Sequence, residues 1–419
     1  MTPPPKVAQK KGDFAKIVGT YTSHFGKNDD QATVADDRRK KRQANAADLA
    51  DSYYNFASAA YENGWSTHFH YTPFAPNDTI QSAMTFYEHR FAMLMGLKAG
   101  MKVLDVGCGI GGPAREIAKF IGCEVVGITI NQYQVDRAIQ LTAQGGLSDK
   151  CTFIKGNFLH LPFASSTFDA AYAIEATVHA PSLLAVYTGI ARVLKPGAIF
   201  GLSEWVMTPQ FDLSNPNHVS IRNRLERGNA LPNVHTSEQA RAAMRGAGFE
   251  ILHDEDYANH FAHLARANTR GKEDKDEATL QSPALIPFLS RLSSSSSTSP
   301  SSSPDFQTAP WLSKPMPLHA PAHRPWYWPL GGETHHATTW GDWFTVWKMS
   351  MWPRRICYAV LWVFERVGIA ENGVCDAMTT LAYCVDSAAE GGREGIFTPC
   401  WWFIGRKAGE VSQHQHGVG

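Results

Sequence analysis

VLDVGCGIGG, residues 103–112, is the stretch that decides the fold. Three apolar residues and Asp105 are followed by Gly107, Gly109, Gly111 and Gly112 within six positions. The opening residues read as a buried strand, and the glycines allow the positive backbone angles of a very tight turn. GPAREIAKFI comes next with the pattern of a helix, so the turn leaves a helix N-terminus aimed at whatever lies against the bare main chain. A dinucleotide fingerprint would read G-x-G-x-x-G. The spacing here is G-x-G-x-G after an acid, which suits a nucleoside ligand without a pyrophosphate, such as S-adenosylmethionine.

Outward from that turn, strands and helices alternate. EVVGITI and QYQVDRAIQLTAQGG form the next strand and helix. CTFIKGNF, FDAAYAIEAT, the helix LLAVYTGIARVL, a KPG turn and AIFGLSEWV follow. Repeated strand–helix–strand units predict an α/β fold, a Rossmann-like parallel sheet with helices on both faces. Ligands in such sheets bind at the carboxyl edge. That edge holds Asp105, Gly107, Gly109 and Gly111, then Asn157, whose side-chain carbonyl can accept from an adenine amino group, and Glu175 with His179.

The chain has 419 residues, with 39 basic and 39 acidic, so charge gives no argument for nucleic acid. Seven cysteines lie scattered without a CxxC pair, which reads as reduced thiols and no metal site. The N-terminal residues lack the apolar core of a signal peptide. No run of eighteen apolar residues suggests a spanning helix, so the protein is expected to be soluble or to lie on a membrane surface. Residues 1–50 read as a polar, helical extension, with Arg38–Arg42 as a solvated helix face. Residues 51–258 form the sheet domain. Residues 265–320, with five serines at 293–297, read as low-complexity disorder, either a surface insertion or an artefact of the gene model. Residues 324–410 hold most of the tryptophans and read as a second apolar unit, a lid or a membrane-contacting face.

YENGWSTHFHY, LDVGCGIGGPAREI, IEATVHAP, EWVMT and RPWYWPL together resemble the sterol C-24 methyltransferase family, in its fungal form, over about 50–258 and 324–408. The resemblance implies a class I methyltransferase sheet with a C-terminal α+β sterol methyltransferase domain and S-adenosylmethionine as methyl donor. It implies a sterol substrate, a homo-oligomer, and residence at the cytosolic face of the endoplasmic reticulum or a lipid droplet. The family's aromatic signature falls on Tyr61, Glu62, Gly64 and Trp65. Two departures stand out. The acid that usually holds the ribose after the second strand is replaced by Thr129, Asn131 and Gln132, and aspartate is usual where Asn157 stands.

The implied reaction carries a sulfonium methyl to a side-chain alkene, leaves a carbocation, shifts a hydride, and loses a proton to give a methylene. It needs a dry slot, electron-rich groups facing the cation, and a base. Tyr61, Trp65, Phe69 and Tyr71 are the aromatic candidates, since a desolvated ring face stabilises a cation by about 2 kcal/mol. Glu62, His70, Glu88, His89, Glu175 and His179 are the candidate bases, with Glu62 and His89 favoured on the substrate side. A methyltransferase acting on a prenylated quinone or tocopherol and a non-catalytic sterol carrier are the alternatives.

Overall fold

The computed structural model describes residues 13–26, 36–75, 78–260 and 324–409. The serine-rich segment at 265–320 lies outside the described residues.

Seven strands form one sheet: β1 (Lys102–Val106), β2 (Glu124–Thr129), β3 (Cys151–Lys155), β4 (Phe168–Ile174), β5 (Leu194–Met207), β6 (Phe249–Asp256) and β7 (Phe397–Lys407). Their spatial order is β3-β2-β1-β4-β5-β7-β6. The first five run parallel, and β7 enters antiparallel between β5 and β6. Alternation along β1 sends side chains to opposite faces. Val103 joins one buried cluster, while Leu104 and Val106 join the other. Helices cover both faces. On one lie α4 (Ile80–Leu94), α5 (Gly112–Ile121), α6 (Gln132–Gln144), α8 (Pro216–Gly228) and α12 (Val374–Arg393). On the other lie α7 (Leu183–Val193) and α9 (Ser237–Gly246).

The N-terminal extension is not a bystander. Helix α1 (Asp13–Thr22) buries Val18 and Tyr21 against Tyr53 and Phe56 of α3 (Ala46–Gly64). The short α2 (Asp36–Ala44) contains the basic run, and here the expectation of a solvated face fails. Arg42 is buried and reaches Glu226 of α8 at 2.7 Å, and Arg39 reaches the same oxygen at 3.2 Å. Within Arg38–Arg42, Arg38, Lys40 and Lys41 are exposed as expected, and Arg39 and Arg42 are the two that turn inward. A buried carboxylate needs such partners, because uncompensated it costs several kcal/mol.

The C-terminal tail folds into the body of the protein. RPWYWPL buries Trp326 and Trp328, and WWFIGRK supplies β7, with Trp402 and Phe403 fully buried on opposite faces. Between them, α10 (Trp340–Met349) and α11 (Met351–Arg366) lie on the outside, and α11 has no buried residue at all. No described helix is long and apolar enough to cross a membrane.

Candidate active site

Two cavities meet at the carboxyl edge of β1 and β4. The first follows the glycine turn. Gly107 adopts φ of 85°, and a Cβ there would stand 2.3 Å from that of Ala176, so only glycine lets the β1 and β4 loops close together. Gly111, at φ of 75°, caps α5. Asp105 and Gly107 through Ile110 line this cavity, with Pro113, Phe158 and Leu159 as apolar walls. Asp105 faces Tyr172 on the neighbouring strand, whose hydroxyl donates to it at 3.1 Å. Burial raises the Asp105 carboxyl to about 7. A buried carboxylate, a bare backbone bend and apolar walls form a cradle that fits a nucleoside carrying a positive charge.

The candidate ribose-binding residues divide. Thr129 lines the cavity and donates to Gln134 Oε1 at 2.6 Å. Asn131 does not line it. As the N-cap of α6 it accepts from Gln134 N–H, and its amide donates to Asp51 and Asn55 of α3. Gln132 bonds Asp136 one turn on, at the helix exterior. The amide that reaches the cavity is Gln134, held also to Ser58. Asn157 lines the cavity, but its Oδ1 already accepts from Leu159 N–H at 2.9 Å. One lone pair of that oxygen is left for an adenine amino group.

The second cavity is larger, about 830 Å³. Tyr61, Gly64, Trp65, Phe69 and Tyr71 all line it, together with Trp205 and Cys384. Tyr61 is held by the Tyr53 hydroxyl at 2.8 Å, and Trp65 packs against Tyr71. The outer end is formed by Met349, Met351, Arg354 and Tyr358 of α10 and α11.

Tyr54, Phe69, His70, Glu175 and His179 line both cavities, and so mark their junction. Glu175 directly follows β4 with φ of 53°, a left-handed angle that a side chain adopts only under constraint. The constraint is visible: Oε1 accepts from Tyr71 N–H at 2.7 Å and Oε2 from Trp205 Nε1–H at 2.6 Å. Burial pushes the carboxyl up to about 7, against the pull of His70 and of those two donors. His179 faces the Ala230 carbonyl through Nδ1 at 3.1 Å and the Tyr54 hydroxyl through Nε2 at 2.9 Å. Burial drives its imidazole down to about 4.

His70 is tied to its neighbour's carbonyl at 2.7 Å and to Glu88 Oε1 at 2.8 Å, and His68 reaches the same oxygen at 2.6 Å. Burial would raise Glu88, but the two histidines outweigh it and hold the carboxyl at about 2. The three side chains bring possible ligand atoms within 4.8 Å of one another. Because one oxygen already receives both rings, the arrangement is a hydrogen-bonded clamp on the loop between α3 and α4.

Glu62 and His89, the bases favoured from sequence, line neither cavity. Glu62 accepts from Arg137 Nε of α6 at 2.9 and 3.1 Å, a fork that fixes α3 over the sheet. His89 bonds Glu116 at 2.8 Å and stacks on Phe120, joining α4 to α5 at the half-exposed outer face. Sequence reasoning missed Gln134, Trp205 and, at the junction itself, Tyr54. Its signal was present, since Tyr54, Tyr61 and Trp65 recur at seven and four residues along one helix face.

The comparisons agree with this geometry. Residues 103–197 match the family described as Methyltransferase domain, and 344–408 the family described as Sterol methyltransferase C-terminal. Sterol 24-C-methyltransferase ERG6A of Gibberella zeae is 36% identical over 400 residues, covering 95% of this chain and 89% of the relative. Sterol 24-C-methyltransferase erg6 of Aspergillus fumigatus is 36% identical over 413 residues, covering 96% and 93%. Among solved structures, the [4+2]-cyclase SpnF superposes with a TM-score of 0.52 at 17% identity, over 87% of this chain and 96% of that one. A geranyl diphosphate methyltransferase bound to GPP and sinefungin gives 0.50 at 12% identity, over 87% and 100%. These two likenesses concern the fold alone. With the fold, the paired cavities and relatives alike over nearly the whole chain, the protein belongs to the sterol 24-C-methyltransferase family.

Proposed function

We propose that the protein transfers the methyl of S-adenosylmethionine to C-24 of a sterol side-chain alkene. The observation that carries this reading is the junction, where one wall is shared by a nucleoside cradle and an aromatic cavity of sterol size. The donor, when bound, supplies an electrophilic methyl. The protein's own work is placement and electrostatics. Asp105, Thr129, Gln134 and Asn157 are polar groups that would hold the nucleoside end. Tyr61, Trp65, Phe69 and Tyr71 exclude water and turn ring density toward the slot. Glu175, anchored by two donors at the junction, sets a negative charge against the positive charge that moves from donor to side chain. Glu62 and His89 are outside this machinery. The quinone methyltransferase and sterol-carrier alternatives are not favoured, because the family match extends through the C-terminal residues that wall the large cavity. Methyl-labelled donor tests the reading: label should enter a sterol with a side-chain alkene and not one with a saturated side chain. Equal labelling of both, or of neither, would refute it.

Helices α10 and α11 favour a membrane-bound life. Trp340, Trp343, Phe344, Trp352, Trp362 and Phe364 are exposed there, interleaved with Lys348, Arg354, Arg355 and Arg366. Aromatic and basic side chains in such a mixture suit the interface of an anionic bilayer. The outer end of the large cavity is made by the same helices, which gives a lipid-dissolved sterol a short route in. The cytosolic face of the endoplasmic reticulum or of a lipid droplet is the proposed location. Without a bilayer, the same apolar surface is expected to draw copies together as a homo-oligomer. Co-sedimentation with anionic vesicles, weakened by salt and by W352E, tests the first proposal, and failure to bind would refute it. Sedimentation equilibrium tests the second, and a strict monomer would refute that.

A further inference from the structure

The junction contains a hydrogen-bonded pair that the reading above leaves unused. Tyr54, from α3, meets His179, from the turn after β4. Backbone chemistry fixes the direction of their bond. A carbonyl oxygen can only accept, so His179 Nδ1 must carry the hydrogen that points at Ala230 O. In the neutral ring this leaves Nε2 as an acceptor, and the Tyr54 hydroxyl donates to it. The phenol oxygen keeps its lone pairs for other contacts, and its residue lines both cavities. Ala230 itself has φ of 54°, one of three non-glycine residues with positive φ among those described. Two of the three, Glu175 and Ala230, thus sit at this junction or anchor it. Such backbone angles persist where the surroundings over-determine them.

Glu175 is engaged differently from this pair. Each of its oxygens already accepts a hydrogen bond, from Tyr71 N–H and from Trp205 Nε1–H, and Cys400 Sγ lies 3.8 Å from Oε1. Both donors favour its ionised form, the form that faces the cation during methyl transfer.

We propose that Tyr54 and His179 form the proton exit of the reaction. The step balances as follows. A C–H bond of the transferred methyl breaks, and its electron pair becomes the new carbon–carbon π bond. The proton goes to Tyr54 Oη, while the hydrogen that Oη was donating moves to His179 Nε2. The products are a neutral alkene, an intact phenol and an imidazolium whose Nδ1–H still points at Ala230 O. Burial, which already favours the neutral imidazole, then drives the proton off to solvent when the site opens.

This inference rests on the C-24 transfer reading, and its test separates the two. Wild-type enzyme, Tyr54→Phe, His179→Ala and Glu175→Gln are compared with donor carrying CH3 or CD3. Calorimetric Kd for the donor shows that each variant retains a folded cofactor site. Tyr54→Phe and His179→Ala should lower kcat about a hundredfold, the lower range for loss of general-base help, with KM little changed. Proton loss should then limit turnover, so the CD3 isotope effect on kcat should exceed that of wild type in both variants. The stranded cation should also leak into other alkenes or water-trapped alcohols. Glu175→Gln should slow the reaction without that rise. A Tyr54→Phe enzyme with wild-type isotope effect and a single product overturns the proposal, whatever its rate. So does a raised isotope effect confined to Glu175→Gln, which would make Glu175 the base. Wild-type enzyme that methylates no sterol would instead defeat the underlying reading.

Discussion

Replacing Glu175 by glutamine keeps the shape of the side chain and removes its charge at the cavity junction. Two losses can be worked out. A unit charge about 5 Å from a cation, at an effective dielectric of about 20, is worth about 3 kcal/mol. Lost from the transition state, that is roughly a hundredfold in kcat. The second loss is local. Glu175 accepts from Tyr71 N–H and from Trp205 Nε1–H on different oxygens, so a glutamine must turn its NH2 toward one of those donors. An unpaired buried donor costs about 1–3 kcal/mol of stability. The pH dependence follows with its sign. Burial raises this carboxyl from 4.5 to about 7, so its contribution to stability is full below pH 4.5 and is lost as pH rises through about 7. Catalysis runs the other way, because the ionised form is the active one: kcat/KM should climb with pH and level off above about 7 in the free enzyme. The assay is kcat/KM from pH 5.5 to 9 with wild type and variant, beside thermal melts over the same range. The variant should lose that part of the stability slope, and the acid limb of the rate should shrink to what Asp105, raised to about 7 in the donor cradle, contributes. A variant within a few-fold of wild-type kcat, with the acid limb intact, would refute the electrostatic role.

Glu62→Gln should lower Tm, because it leaves the buried Arg137 without its carboxylate, a loss of about 3–5 kcal/mol when a buried pair is broken. Its kcat below the melting range should stay within a few-fold of wild type, and a hundredfold fall would restore Glu62 as a catalytic candidate. His89→Ala should leave kcat unchanged as well, since the imidazole joins α4 to α5 on the outer face. Gly107→Ala should weaken donor binding at least tenfold by calorimetry, because the new Cβ collides with Ala176 at 2.3 Å from a left-handed backbone. Unchanged donor affinity would show that the close approach of the two loops does not shape the cradle.

How far the sequence could be read depended on whether a feature is local. The turn at Gly107–Gly112 was legible, because positive φ after a buried strand leaves a direct mark on residue choice. The alternation of Val103, Leu104, Asp105 and Val106 placed the acid on one face of β1 without any help from the fold. Glu62 was misread because its neighbours in sequence line the large cavity. One step along α3 turns a side chain by about 100°, which brings Glu62 to Arg137 on α6. The same holds for Asn131, where the demand of α6 for an N-cap acceptor consumed the side chain and left Gln134 at the cavity. The place of β7 depends on which sheet edge stands open after β5, and nothing near Phe397–Lys407 records that. The role of Arg39 and Arg42 was likewise hidden, because Glu226 lies more than 180 residues away.

The most direct test of the account is the fate of hydrogen on the transferred carbon. Wild-type enzyme is given S-adenosylmethionine with a CD3 group and a sterol bearing a side-chain alkene, and the product is read by mass spectrometry and NMR. Methyl transfer closed by proton loss at the junction predicts a methylene on C-24 that has kept all but one of the deuteriums. A product retaining the whole CD3 group would contradict that ending, and label on no sterol at all would contradict the transfer itself.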